Sequence, residues 1–305
     1  MLTQLEAGDT APLDKAMPIA LGLGALQLVH EVAHYAAAKK NGLSTSVPVA
    51  VPSLQLGFFG CVTRLLEFPT SRKALYEFAL SGPLLAGTLS FLIYVVGIVL
   101  SVGLPVPEIP TIDITSISGA AGAKVDPKAL ADAAAAASAA SAASGVDLMP
   151  VIPSALIQSS LLMGTVATAL LPALSTSPAV ALNPLAVIGF VGTLVNALAL
   201  LPIGRLDGGR VASAVFGQSQ AALVSGVTLL LVGLSTLFGS DDPVLLFFGL
   251  FIILFQRPPE LPCKDDVTGV PQSYEFAAAV VASVVLLTVL PFPATPVPLD
   301  TLPPF

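Results

Sequence analysis

The sequence predicts an all-α polytopic membrane protein with about six transmembrane helices and a short β-element after the first of them. Three observations carry that reading. Of 305 residues, 55% are hydrophobic and 10% charged, whereas soluble domains carry about 25% charged residues. Mean hydropathy is +0.90. Apolar runs of about 18 residues or more, long enough to cross a bilayer as a helix, recur along the chain.

The predicted spans are Pro18–Ala38, Tyr76–Gly103, Pro184–Leu201, Gln220–Phe238 and Phe276–Leu290. Val244–Phe255 is shorter, about 18 Å as a helix, and would span only with thinning or by extension through its flanks. Ala155–Leu171 is apolar but carries Gln158, Ser159, Ser160, Thr165 and Thr168, so it is expected at the interface. Between Val47 and Arg64, Pro48, Pro52, Gly57 and Gly60 interrupt any helix, and two short strands around a turn are expected. Non-helical backbone at membrane depth must be buried in protein or face a watery cavity. A β-element there would offer an edge on which to align an extended peptide.

These features divide the chain into six parts. An N-terminal polar segment (1–16) precedes a first core half with the first span, β-element and second span (17–103). A Pro/Ala/Ser-rich solvent-side insertion (104–153) follows; its Ala/Ser tract favours helix but has little to bury. Next come an interfacial segment and core helix (154–217), C-terminal transmembrane helices (218–291) and a Pro-rich tail (292–305). The first 16 residues hold Glu6, Asp9, Asp14 and one base, Lys15, the pattern of neither a secretory signal nor a transit peptide. The expectation is that a targeting sequence has been removed or that the chain begins inside a longer precursor.

A net charge of −7 argues against a nucleic-acid partner. Tryptophan is absent, so interfacial belts would rest on Tyr and Phe. Cys61 and Cys263 lie in different segments and imply neither a disulfide framework nor a cysteine-based zinc site.

The chemistry sits in the first span, at His30-Glu31-Val32-Ala33-His34. Histidines at i and i+4 share a helix face, a spacing suited to tetrahedral zinc with an adjacent carboxylate as base. Glu31 could instead be a plain hydrogen-bond partner; its position beside a ligand favours the base. A catalytic zinc takes three protein ligands, and these are the only two histidines in the chain. The third must be a carboxylate or one of the distant cysteines. Asp207 stands out, after an apolar helix, in Pro202-Ile203-Gly204-Arg205-Leu206-Asp207-Gly208-Gly209-Arg210. An acid at membrane depth is costly without a function or partner, although an Asp before Gly-Gly is also a common turn former. Asn196 could glue helices or hold a substrate carbonyl.

Topology offers a separate argument. If Ala155–Leu171 does not cross, Pro184–Leu201 returns Asp207 to the face where Lys39 and Lys40 lie. Six spans also gather Arg64, Arg72, Lys73, Arg205, Arg210, Arg257 and Lys264 there, leaving Lys15, Lys124 and Lys128 opposite. The positive-inside rule then places the metal toward the cytosol-equivalent side.

Taken together, these motifs resemble the site-2 protease family of intramembrane zinc metalloproteases. His30–His34 matches its HExxH, and Asn196 through Gly208 its NxxPxxxLDG, except that Pro202 stands six positions after Asn196 where that pattern puts three. The longer spacing is similar to the plant and cyanobacterial EGY-type branch, as are Gln55–Gly60 and Gln256–Cys263. Ser81-Gly82-Pro83 resembles the small-Gly-Pro element of the family's next core helix.

The resemblance implies a site-2 protease-like core and one catalytic Zn2+ held by His30, His34 and Asp207. It implies Glu31 as base and Asn196 as the residue that positions the scissile peptide. The partners implied are membrane-protein substrates within the bilayer. The location implied is a chloroplast membrane, thylakoid or envelope, with the site toward the stroma. Two rivals stand beside it: an inactive relative that binds membrane clients, and a zinc transporter.

Overall fold

The computed structural model describes residues 11–53, 56–104, 149–177, 179–238 and 244–290. Gln55, the Ala/Ser tract, most of the insertion and the Pro-rich tail lie outside these residues.

The described chain is mostly helical, with two small sheets. Helix α1 is Ala11–Lys40, with Pro18 inside it and Lys39 and Lys40 in its last turn. Cations there complement the partial negative charge of a helix C-terminus. Strands β1 (Val49–Ser53) and β2 (Gly57–Val62) form the expected hairpin. They pair antiparallel, Val49 with Val62 and Val51 with Gly60, before the register shifts at Val51/Pro52. Helix α2 is Arg72–Ser101, capped by the Ser71 side chain on the Ala74 amide.

A second, unexpected hairpin pairs β3 (Val151–Pro153) with β4 (Ala179–Ala181). Between its strands lie helix α3 (Leu161–Leu170) and the single-turn helices Ser154–Ile157 and Ala173–Thr176. Helix α4 is Pro184–Ala199, with Asn183 as cap and Pro184 at the first helical position. Helix α5 is Asp207–Phe216 and α6 is Gln218–Phe238. Helix α7 (Val244–Phe251) runs into a π-helical turn, Ile252–Gln256. Helix α8 is Gln272–Val289.

Among the described residues, four helices are long and apolar enough to cross a membrane: Ala16–Lys40, Arg72–Ser101, Gln218–Leu237 and Gln272–Val289. The other two segments expected to span form shorter apolar helices, Pro184–Ala199 and Leu246–Gln256. Pro202 and the turn after it stop α4, and the π turn and Pro258 stop α7. Ala155–Leu171 likewise divides between the Ser154–Ile157 turn and the 10-residue α3.

Helix α2 is the centre of the packing, against α4, α1 and α5. The α2–α4 crossing is close: a Cβ at Gly189 would overlap the Tyr94 backbone, and one at Gly97 the Ala186 backbone. Small residues let apolar helices approach to backbone contact, where dispersion and packing replace the missing hydrophobic drive. Tyr94 is fully buried and donates its hydroxyl to the Met163 carbonyl at 2.8 Å, which ties α3 to this pair. At the other end, Glu77 accepts from Lys40 at 2.9 Å and from the Tyr274 hydroxyl at 2.8 Å, joining α1, α2 and α8. Arg72 donates to the Ala214 and Val215 carbonyls, both at 2.7 Å, and so caps the last turn of α5. This scaffold brings α1, α4, β2 and the start of α5 to one place.

Candidate metal centre

His30 and His34 lie one turn apart on α1, and both are buried. Their Nε2 atoms are 3.0 Å apart. Asp207, the first residue of α5, brings Oδ2 to 3.4 Å from His30 Nε2 and 3.3 Å from His34 Nε2. The three sequence-predicted ligands therefore meet although 173 positions separate His34 from Asp207. A tetrahedral zinc with bonds of about 2.0–2.2 Å sets its ligand atoms about 3.3–3.6 Å apart. The observed triangle is close to that size.

The outer atoms of each ring show which nitrogen faces the site. His30 Nδ1 lies 2.8 Å from Asn196 Oδ1, and Asn196 Nδ2 donates to the Gly192 carbonyl at 2.8 Å. With its amide thus oriented, Asn196 accepts from the His30 Nδ1–H. The His34 Nδ1–H donates in the same way to the Phe78 carbonyl at 2.8 Å. Both Nε2 lone pairs are left pointing at Asp207, the tautomer a metal needs. Gly82 of α2 permits this arrangement, because a Cβ there would run into both imidazoles. Among the described residues, His30, His34 and Asp207 are the group positioned to bind a metal, and neither cysteine joins it.

Glu31 sits beside the group. Its Oε1 accepts from Gln27 Nε2 at 2.9 Å and its Oε2 from the Thr63 hydroxyl at 2.8 Å. Gln27, His30, Thr63 and Asp207 line one cavity, closed by β2, Val195, Arg205, Phe251 and Gln256. The cavity volume is about 40 Å³, where about 10–15 Å³ suffices for one water.

Arg210, one turn into α5, is buried between the site and the chain around it. Its Nη1 donates to Asp207 Oδ1 at 3.3 Å, its Nη2 to the Thr63 carbonyl at 2.7 Å, and its Nε to Glu260 Oε2 at 2.6 Å. Sequence reasoning assigned no role at the site to Gln27, Thr63, Arg210 or Glu260. One local signal was available for Gln27, a carboxamide inside an apolar helix four residues before Glu31. Arg210 and Glu260 fell within quoted motifs, but their pairing joins segments 50 positions apart.

Cys61, half-buried, also lines the cavity, and its thiol is pushed up to about 11 by burial and then by the charge of Glu31. Cys263 is buried, and burial, followed by the charge of Asp266, likewise pushes its thiol up to about 11. Both are poor nucleophiles at neutral pH, because the thiolate is the reactive form.

Fold and site define a class: a helical membrane protein built around a buried His-His-Asp group with a carboxylate beside it. The family model for peptidase family M50 matches residues 18–239. The chain belongs to that family, the membrane-embedded site-2 proteases.

Similar proteins include "Probable zinc metalloprotease EGY1, chloroplastic" of Oryza sativa subsp. japonica, 33% identical over 92% of this chain and 41% of the relative. The Arabidopsis thaliana protein of the same name is 30% identical over 92% of this chain and 43% of the relative. "Probable zinc metalloprotease EGY2, chloroplastic" of Oryza sativa subsp. indica is 30% identical over 90% and 42%. The chain thus spans about two fifths of the length of these curated relatives. No solved structure matches the chain.

Proposed function

We propose that this protein is an intramembrane zinc metalloprotease that hydrolyses peptide bonds within or near transmembrane segments of membrane proteins. One observation carries the proposal: two imidazole nitrogens and a carboxylate oxygen, from helices distant in sequence, converge within 4.8 Å beside Glu31. A transporter would need donors strung along a path, and these lie at one point.

In this reading His30, His34 and Asp207 hold one zinc, which when bound supplies Lewis acidity and lowers the pKa of water. Glu31 is the base. Gln27 and Thr63 fix its carboxylate, and each oxygen keeps a lone pair to take the proton of the attacking water. Glu31 then returns that proton to the leaving nitrogen. Asn196 orients His30 through Nδ1, and its second N–H would hold the scissile peptide, the role its motif implies. Val195, Ala199 and Phe251 supply apolar wall, while Arg205, Gln256 and Gln27 supply the polar path that water needs.

A helical substrate must unwind to expose its carbonyls, since hydrocarbon offers no replacement hydrogen bonds. Residues 59–63, along and just past β2, line the cavity, so an extended segment can add beside that strand. We further propose that α4 and α7 with its π turn complete six spans. The site then faces the stroma of a chloroplast membrane, thylakoid or envelope; of this, the relatives' names carry the word chloroplastic.

The test is co-expression of wild type and Glu31→Gln, with membrane proteomes compared. A single-span protein should accumulate with the variant and appear as a fragment with the wild type. Identical membrane proteomes would reject proteolysis.

A further inference from the structure

The segment Gln256–Glu260 reaches the cavity only through Gln256, yet it closes on the turn that carries Asp207 from several sides. The Gln256 carbonyl accepts from the Arg205 amide at 2.8 Å, and the Pro259 carbonyl from Arg205 Nε at 3.1 Å. Gly204 adopts φ +48°, and a Cβ there would overlap the Gln256 carbonyl. Glu260, 5% exposed, meets Arg210, 4% exposed. Removing two charges from water is costly, and such a pair is weak evidence for stability alone.

The guanidinium fork does more than neutralise Glu260. It touches Asp207, whose other oxygen faces the histidines, and the carbonyl of Thr63, whose hydroxyl holds Glu31. Its carbon lies 5.4 Å from the centroid of the Phe78 ring, and the Phe78 carbonyl accepts from His34. One side chain is therefore coupled to the third metal donor, to the residue holding the base, and to the partner of a histidine.

We infer that Arg210, anchored by Glu260, is a positioning residue that fixes Asp207 and the Thr63–Glu31 pair relative to one another, with residues 256–260 as the clamp that holds it. The inference rests on the metalloprotease reading. Only a planar fork with several fixed donors serves three acceptors at once; lysine offers a point charge on a flexible stem.

The test uses the full chain purified in detergent, with Glu260→Gln, Arg210→Lys and the double variant R210M/E260L. Zinc loss to a chelator, kcat and KM on a membrane-segment peptide, and melting temperature are followed. Zinc loss should quicken about tenfold or more in both single variants, as for other groups that orient metal ligands. Their kcat should fall with KM little changed, and lysine should not rescue. The double variant leaves no lone buried charge, so its melting temperature should return toward wild type. Its zinc retention and kcat should stay low.

A double variant that regains wild-type zinc retention and kcat along with its melting temperature would make the pair merely structural and overturn the inference. The zinc arm needs no turnover, so a wild type that binds zinc but cleaves nothing would sink the protease reading and leave the clamp to be judged on retention. A wild type that binds no zinc would overturn both.

Discussion

Glu31 has both carboxylate oxygens occupied by donors, Gln27 and Thr63, so its removal and its neutralisation have different consequences. Glu31→Gln keeps the shape and the hydrogen-bonding capacity, so zinc content and melting temperature should match wild type while cleavage is abolished. Turnover by that variant would remove Glu31 as base. Asn196→Ala frees the His30 ring, and zinc affinity should fall about 10–100-fold, read by competition with a chelator. Unchanged affinity would show that the Nδ1 contact orients nothing. Cys61 reports on the cavity: with Cys263→Ser as background, its alkylation should be slow at pH 7. A thiol raised to about 11 is protonated there, so the rate should climb about tenfold per pH unit until that value is approached. A rate already flat above pH 8.5 would place Cys61 in water.

At the scale of elements, the α2–α4 crossing sets the position of Asn196 and hence of His30. Gly189→Leu forces a side chain into the Tyr94 backbone. It should cost at least the 1–3 kcal/mol typical of overpacking, measured by denaturation in detergent; an unchanged midpoint would mean the helices are not in backbone contact.

The long helices were legible because α2 and α6 are apolar over most of their length, and composition alone marks them. The hairpin β1–β2 was legible because Pro48, Pro52, Gly57 and Gly60 forbid helix. Hairpin β3–β4 was not: each strand has three residues, too few for an alternating pattern, and the partners are distant in the chain. His30 and His34 announced themselves by helical spacing, and Asp207 by its cost at membrane depth. Arg210, Glu260 and Thr63 could not be read that way. Their contacts join positions 50 and 147 residues apart, and no local period encodes such pairs. Termini shifted for local reasons, as where Ser71 caps α2 before its apolar run begins.

Across the whole molecule, the proposed six-span topology gathers most of the basic residues at one end. Lys40 and Lys73 meet Glu77, Arg72 caps α5, Arg205 meets Pro259, and the Lys264 amide bonds to the Pro69 carbonyl. Six spans with this end toward the positive side predict that single cysteines at Lys39 and Arg257 label from the same face of sealed vesicles. Labelling from opposite faces would require an odd number of crossings between them and would break the proposed topology.

All of this converges on what surrounds the ion. Zinc K-edge X-ray absorption of the purified protein reads that shell directly. Two imidazole nitrogens near 2.0–2.1 Å with oxygen neighbours at about 2.0–2.2 Å, and no sulfur, is the predicted result, with loss of the carboxylate oxygen in Asp207→Ala. A sulfur neighbour near 2.3 Å, or a shell unchanged by Asp207→Ala, would contradict the His30–His34–Asp207 centre.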